Sequence, residues 1–127
     1  MVESSARVAP WREAVKWAAM KAWGHKAPMD GPLVAIMAFT LPKPKSCPKT
    51  RRTWPDRTPD GSKLMRSTED ALTDAGVWAD DARVVLGVFV KRYPLEGTDA
   101  METPGAVIRI FSATDPMIAQ ELARIAA

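Results

Sequence analysis

Asp60-Gly61 at one end and Gly76 at the other bracket the stretch that leaves this chain the least conformational choice. Asp-Gly is a turn pair, and the apolar residues that follow, Leu64, Met65, Thr68 by its methyl, Leu72 and Ala75, recur on one helical stripe. Gly76 is placed to end that helix in a left-handed conformation. Val77-Trp78-Ala79 then opens a new element, and Asp80-Asp81-Ala82-Arg83-Val84-Val85 leads into a strand. A helix over Ser62–Ala75 is about 20 Å long at about 1.5 Å per residue, and an extended Gly76–Asp81 covers about 16 Å. A chain doubling back along its own helix therefore returns the Asp80-Asp81 pair close to level with Asp60. Carboxylates converging from two elements suit a hard divalent cation such as Mg²⁺, which is usually held by one or two of them together with waters and substrate phosphate. Spacing alone is equally compatible with an acid favoured at a helix N-terminus and a surface acidic turn.

Elsewhere the patterning predicts an α+β chain. Met1–Ala9 is small and polar and expected to be loose, with Pro10 in the first turn of a helix that ends at Gly24. Trp11, Val15, Ala18, Ala19 and Ala22 form its apolar face, so that Trp11, Trp17 and Trp23 read as core or interface rather than as platforms for bases. Leu33–Leu41 is short, apolar and partly β-branched, a central strand. Ala82, Val84, Leu86, Val88 and Val90 alternate with their neighbours to give a second strand with one wholly apolar side. That register puts Asp80, not Asp81, on the core side, so a role for Asp81 requires a site off that side or a bend between the two. Ala106–Phe111 is expected to pair with this strand as an antiparallel hairpin, and Asp115-Pro116 to cap and start a last helix through Met117, Ile118, Leu122 and Ile125. The sum is a small sheet of at least three strands covered by helices, in a single domain over residues 1–127.

Between the first strand and Asp60 lies a basic loop. Pro42, Pro44, Pro48, Pro55 and Pro59 exclude regular structure, while Lys43, Lys45, Lys49, Arg51, Arg52 and Arg57 are opposed within the loop only by Asp56. Such a cluster beside repelling carboxylates lets DNA phosphate approach, because Lys and Arg contacts release condensed counterions; a merely solvated loop has the same composition. Trp54, inside the cluster, either stacks on an unpaired base or anchors the loop. Lys91-Arg92 ends the second strand as a phosphate contact or a polar rim. The formal net charge of +3 is small, so distribution matters more than size. The single cysteine, Cys47, excludes an internal disulfide and, with one distant histidine, His25, makes a poor nucleophile constellation. The sequence shows neither a membrane span nor a signal peptide, and a cytoplasmic location is expected.

The segment D-x-S-K-L-x-R-S-T-x-D-A-L-T-D-A-G-V-W-x-D-D-A-x-V, beginning at Asp60, resembles the central motif of the RusA family of Holliday-junction endodeoxyribonucleases. There the motif opens D-x-D-N-L-x-K and runs through a D-A-L helix to W-x-D-D-A. The resemblance implies a small α+β homodimer whose acidic cluster binds Mg²⁺ and cuts phosphodiester bonds at branched DNA. Asp60 matches the first acid, and Asp80 with Asp81 the later pair, of which Asp81 corresponds to the essential family acid. Ser62 stands where a second acid is usual, Lys63 replaces the Asn, and Arg66 replaces the Lys one turn on. On this basis Asp60, Asp80 and Asp81 are the expected metal ligands, Asp60, Asp81 and Arg66 the catalytic residues, and Lys63 joins the loop cations in DNA binding. The first family strand is apparently missing. Ser62 and the short start also admit a branched-DNA-binding protein without nuclease activity.

Overall fold

A computed structural model describes residues 2–48 and 50–127, with side chains from Pro10 onward. The fold is α+β, with a three-stranded mixed sheet and three α-helices. The chain divides into two units: one joins the segment ending at Leu33 to Pro59–Val85, the other joins Val34–Thr58 to Leu86–Ala127.

The first unit is a helix pair. Helix α1 (Val2–Trp23) packs on α2 (Gly61–Asp74). Helix α1 starts at Val2 rather than Pro10, so the expectation of a loose Met1–Ala9 fails from Val2 onward. Val2–Ala9 contains neither Gly nor Pro, and Pro10, whose fixed φ is helical, costs the helix one backbone bond without ending it. Helix α2 buries Gly61, Leu64, Ser67, Thr68, Ala71 and Leu72, a stripe at the 3–4 spacing of an amphipathic helix. Trp11 joins the pair: its Nε1 donates to Thr68 Oγ1 at 3.1 Å, and that hydroxyl donates to the Leu64 carbonyl at 2.8 Å. Arg12 reaches Asp74 at 2.8 Å across the same seam.

Gly76 ends α2 as its position predicts, at φ +77°. Its amide donates to Thr73 O and that of Val77 to Leu72 O, both at 3.1 Å, while Val77 and Leu72 are both buried. This paired closure, with its apolar contact, is the Schellman motif. Trp78 follows, buried, its Nε1 on Thr73 Oγ1 at 2.7 Å, and its backbone forms a parallel bridge with Met29. The turn after the helix is thus fixed by packing as well as by hydrogen bonds.

The second unit carries the sheet, in the order β2-β1-β3, from β1 (Leu33–Thr40), β2 (Val84–Arg92) and β3 (Gly105–Ser112). The expected β2–β3 hairpin does not form, because the wholly apolar β1, buried at all eight positions, takes the centre and separates them. A strand buried on both faces gains more from a central place than one half open to water. Leu41 N donates to Arg92 O at 2.8 Å, which sets the C-terminal ends of β1 and β2 side by side. Val34, Ile36 and Ala38 on one face of β1 meet Val90, Val107, Phe111 and, from α3 (Ile118–Ala126), Ile118, Leu122 and Ile125. The turn before α3 is organised by Asp115, whose Oδ1 accepts from Met117 N at 2.8 Å, so the helix starts later than the Asp-Pro pair suggests.

Strand β2 departs from its predicted alternation. It begins at Val84, and Leu86, assigned to the apolar side, is exposed together with Val85 and Phe89. An edge strand lacks the second neighbour that would enforce the pattern. Arg92 at its end is neither rim nor phosphate contact: it is 1% exposed, and its Nη2 donates to the Ile125 carbonyl at 2.6 Å.

Candidate functional site

The bend between Asp80 and the strand is a single 3₁₀ turn, Asp81–Arg83. Asp80 caps it: its backbone is extended and its Oδ1 accepts from Ala82 N at 3.1 Å. This resolves the conflict of register in the sequence, since neither acid belongs to the alternating strand and both stay exposed. Arg83 closes the turn from the other side, with Nε on Asp30 Oδ1 at 2.6 Å.

The electrostatics of the doublet are one-sided. Asp81 is raised above the ordinary carboxylate range, first by its side-chain hydrogen bond with Asp80, then by burial, then by the charges of Asp80 and Asp70. Asp80 moves the other way, lowered first by the Ala82 amide and then by Asp81. Neighbouring carboxyls separate in this manner, the one with the backbone donor becoming the stronger acid and its neighbour the weaker. Glu69 is also raised, by burial first and then by Asp81 and Asp70, against the lowering effect of Arg66. Asp81 therefore lies within electrostatic reach of Glu69, Asp70 and Asp80, with Arg66 one turn before the first two on α2. Sequence reading did not single out Glu69 and Asp70. Their spacing of three and four from Arg66 put them on its helix face and was the available signal.

Asp60 is the N-cap of α2. Its Oδ1 accepts from Ser62 N at 2.8 Å and Lys63 N at 3.4 Å. The cap role that Ser62 suits by residue type thus belongs to Asp60, and Ser62 and Lys63 in the first turn are exposed. Asp60 stands nine residues before Glu69 along the helix.

Among the described residues no group of three or more His, Cys, Asp or Glu side chains is gathered tightly enough to hold a metal ion unaided. Mg²⁺ does not need one, because it keeps several waters and takes one or two carboxylates plus phosphate oxygens. The chemistry of the donors suits such an ion, since all the acids offer hard oxygens; Asp81 is raised first by Asp80, whereas Glu69 is raised first by burial.

In the second unit the basic loop is more structured than its composition suggests. Lys43 Nζ pairs with Glu96 Oε2 at 2.7 Å, and Glu96 Oε1 accepts from Thr53 N at 2.8 Å. Glu96, remote in sequence, is the counter-charge that local composition cannot reveal; Lys43 lowers its carboxyl, with the Thr53 amide next. Lys91 Nζ donates to Arg57 O at 2.7 Å. Lys45, Arg51, Arg52 and Arg57 remain exposed, whereas Lys49 lies outside the described residues. Cys47 is half-buried, its thiol 4.0 Å from Tyr93 Oη. Among the described residues no helix is long and apolar enough to cross a membrane.

No curated protein matches the chain. A family model described as Endodeoxyribonuclease RusA does, over residues 2–110, which takes in α1, the basic loop, α2, the acidic turn, β2 and most of β3. The match spans most of the chain and the α+β fold accords with it: the chain belongs to the RusA endodeoxyribonuclease family.

Proposed function

We propose that this protein is a Mg²⁺-dependent endodeoxyribonuclease that resolves four-way DNA junctions by phosphodiester hydrolysis. At the level of the family it is a Holliday-junction resolvase-type nuclease. The observation that supports the finer reading is the pair of carboxyls held above their ordinary range, Asp81 at an exposed turn and half-buried Glu69 on α2. Acids crowded beyond what Arg66 and Arg12 offset add little to stability, whereas a cation site is built that way.

In this reading Asp81 and Asp80 would hold the ion, with Asp60 from the start of α2 and Asp70 or Glu69 as further ligands. It would supply charge neutralisation at the scissile phosphate and a more acidic water. Asp81, through a carboxylate oxygen that the ion leaves free, would take the proton of the attacking water. Arg66 lies close enough to lower Glu69 and meets the negative charge that grows on the phosphate oxygens, as a positioned cation does. Lys63 and the exposed loop arginines bind flanking phosphates in a salt-dependent way. Two copies acting together suit a symmetric four-way substrate, and the exposed Val85, Leu86 and Phe89 on edge strand β2 offer one apolar surface for joining them. The protein works in the cytoplasm, where its DNA substrate lies.

The test is a synthetic four-way junction and a linear duplex of equal length, each with and without Mg²⁺, for the wild type and Asp81→Asn. Junction cutting that needs Mg²⁺ and Asp81 is expected; junction cutting that is indifferent to both removes the mechanism. Ser62, exposed where the family places an acid, favours one alternative, a branched-DNA-binding protein, which the same assay reports as retention of the junction without cut strands.

A further inference from the structure

The basic loop encloses a cavity of about 600 Å³ whose lining includes Cys47, Arg51, Arg52, Trp54, Arg57 and Tyr93, within the range of about 300–1,000 Å³ that small-molecule sites occupy. Trp54 is the unusual member. It is 55% exposed, yet its ring is braced by the Arg52 guanidinium at 4.2 Å and by Arg92 at 5.3 Å. Its neighbours in sequence are fixed as well: Thr53 N is held by Glu96, Asp56 N donates to Trp54 O at 2.9 Å, and Pro55 is buried. A large aromatic ring held still and left in water is preorganised for a flat partner.

The cations behind the ring are built in rather than incidental. Gly97, at φ +126°, passes so close that a Cβ there would come within 2.8 Å of Arg52 Nη2 and 2.9 Å of Arg92 Cζ. Nε and Nη1 of buried Arg92 have no hydrogen-bond partner among the described residues. Burial first, and then the Arg52 charge, lower its hold on the proton. Asp99 and Glu96 act on Arg92 and Arg52 only through space, and the cavity itself presents Arg51, Arg52 and Arg57 against the single acid Asp56, 3.8 Å from Arg57 Nε, a surplus of positive charge that suits an anion. A planar π-face beside an anion describes one nucleotide taken out of its stack.

We propose that this cavity receives a single unstacked DNA nucleotide, its base against Trp54 and its phosphate on Arg51 and Arg57. The inference rests on the junction reading only for the source of that nucleotide, the branch point where pairing is interrupted.

The direct probe is thymidine trinucleotide added to the full chain, read by tryptophan fluorescence and titration. Quenching on binding is expected, with affinity falling about 5- to 150-fold in Trp54→Ala and largely kept in Trp54→Phe. Arg57→Ala should weaken binding and reduce the salt slope by about 0.7. The second probe is a four-way junction carrying 2-aminopurine at the branch point, with Ca²⁺ replacing Mg²⁺. Its fluorescence should change with the wild type and stay as in free DNA with junction-bound Trp54→Ala. Trinucleotide affinity that is equal in wild type and Trp54→Ala, with both folded by thermal melting, overturns the inference even if junctions are cut. So does capture of a phosphotyrosine peptide with no affinity for the trinucleotide. Trp54-dependent trinucleotide binding by a protein that neither cuts nor retains junctions upholds the pocket and sinks the junction reading instead.

Discussion

Asp99 and Asp81 are the same residue type in opposite surroundings. Asp99, in the second unit, is nearly buried and takes hydrogen bonds at 3.0–3.1 Å from Arg109 and Arg124. Those two arginines, Arg109 first, hold its carboxyl far below the usual range despite its burial. Asp81, at an exposed turn of the first unit, has acids for neighbours and is raised. One carboxylate has every charge answered and ties the loop before β3 to α3; the other is left unanswered. The contrast sets a carboxylate that serves the fold and draws cations from its own chain against one that its chain leaves among acids and that the proposed reading gives to a ligand.

The most forceful attempt to break this contrast is to remove each charge in turn. Asp81→Asn should cut junctions at least about 100- to 1,000-fold more slowly, while its melting temperature at neutral pH holds or rises, because the substitution relieves repulsion. A variant that cuts normally, or that melts well below the wild type, would erase the distinction. Asp99→Asn should do the reverse: stability lower by about 2 kcal/mol for the lost charge-assisted hydrogen bonds, seen in a denaturant midpoint, with cutting per folded molecule unchanged.

The pH dependence sharpens the comparison. A depressed carboxyl contributes its stability fully above the unfolded value of about 3.9 and loses it as pH falls through the folded value. The melting temperature of the wild type should therefore drop more steeply below about pH 4 than that of Asp99→Asn; parallel curves would remove the Asp99 network from the balance. Smaller still is the separation of two duties at Asp60. Asp60→Ala should cost about 1 kcal/mol as a lost cap, and Asp60→Asn only a few tenths. Cutting that falls in both assigns the carboxylate to chemistry; cutting that falls only in the Ala variant assigns it to the cap. Trp11→Phe, which leaves Thr68 Oγ1 without its indole donor, should cost on the order of 1 kcal/mol in a denaturant midpoint, with no change in cutting.

Local features were legible in the sequence. The stripe of α2, the glycine that ends it and the apolar run of β1 obey rules with a period of a few residues, and each formed where it was expected. Features set by partners far along the chain were not. The place of β1 between β2 and β3, the tie from Glu96 to Lys43 and the burial of Arg92 beneath the last helix depend on residues dozens of positions away. The acidic site was legible in part. Asp80 and Asp81 stood out as a doublet, but the 3₁₀ turn that takes them off the strand has no period to betray it, and Glu69 and Asp70 were hidden inside a helix that their charge also suits. Asp60 was singled out for a metal; its observed hydrogen bonds begin a helix, two uses that one carboxylate can combine.

The sheet order bears on how the chain is made. β1 leaves the ribosome first, and both strands that flank it come later, β2 beginning 44 residues past Thr40 (84 − 40) and β3 later still. Eight apolar or weakly polar residues must therefore wait, unpaired, through much of synthesis, a window in which such a segment adheres to other nascent chains. Beyond Leu41 come Pro42, Lys43, Pro44 and Lys45, prolines and charges of the kind that keep an exposed strand from pairing, so the loop proposed to meet nucleic acid also flanks the segment with most to gain from such protection.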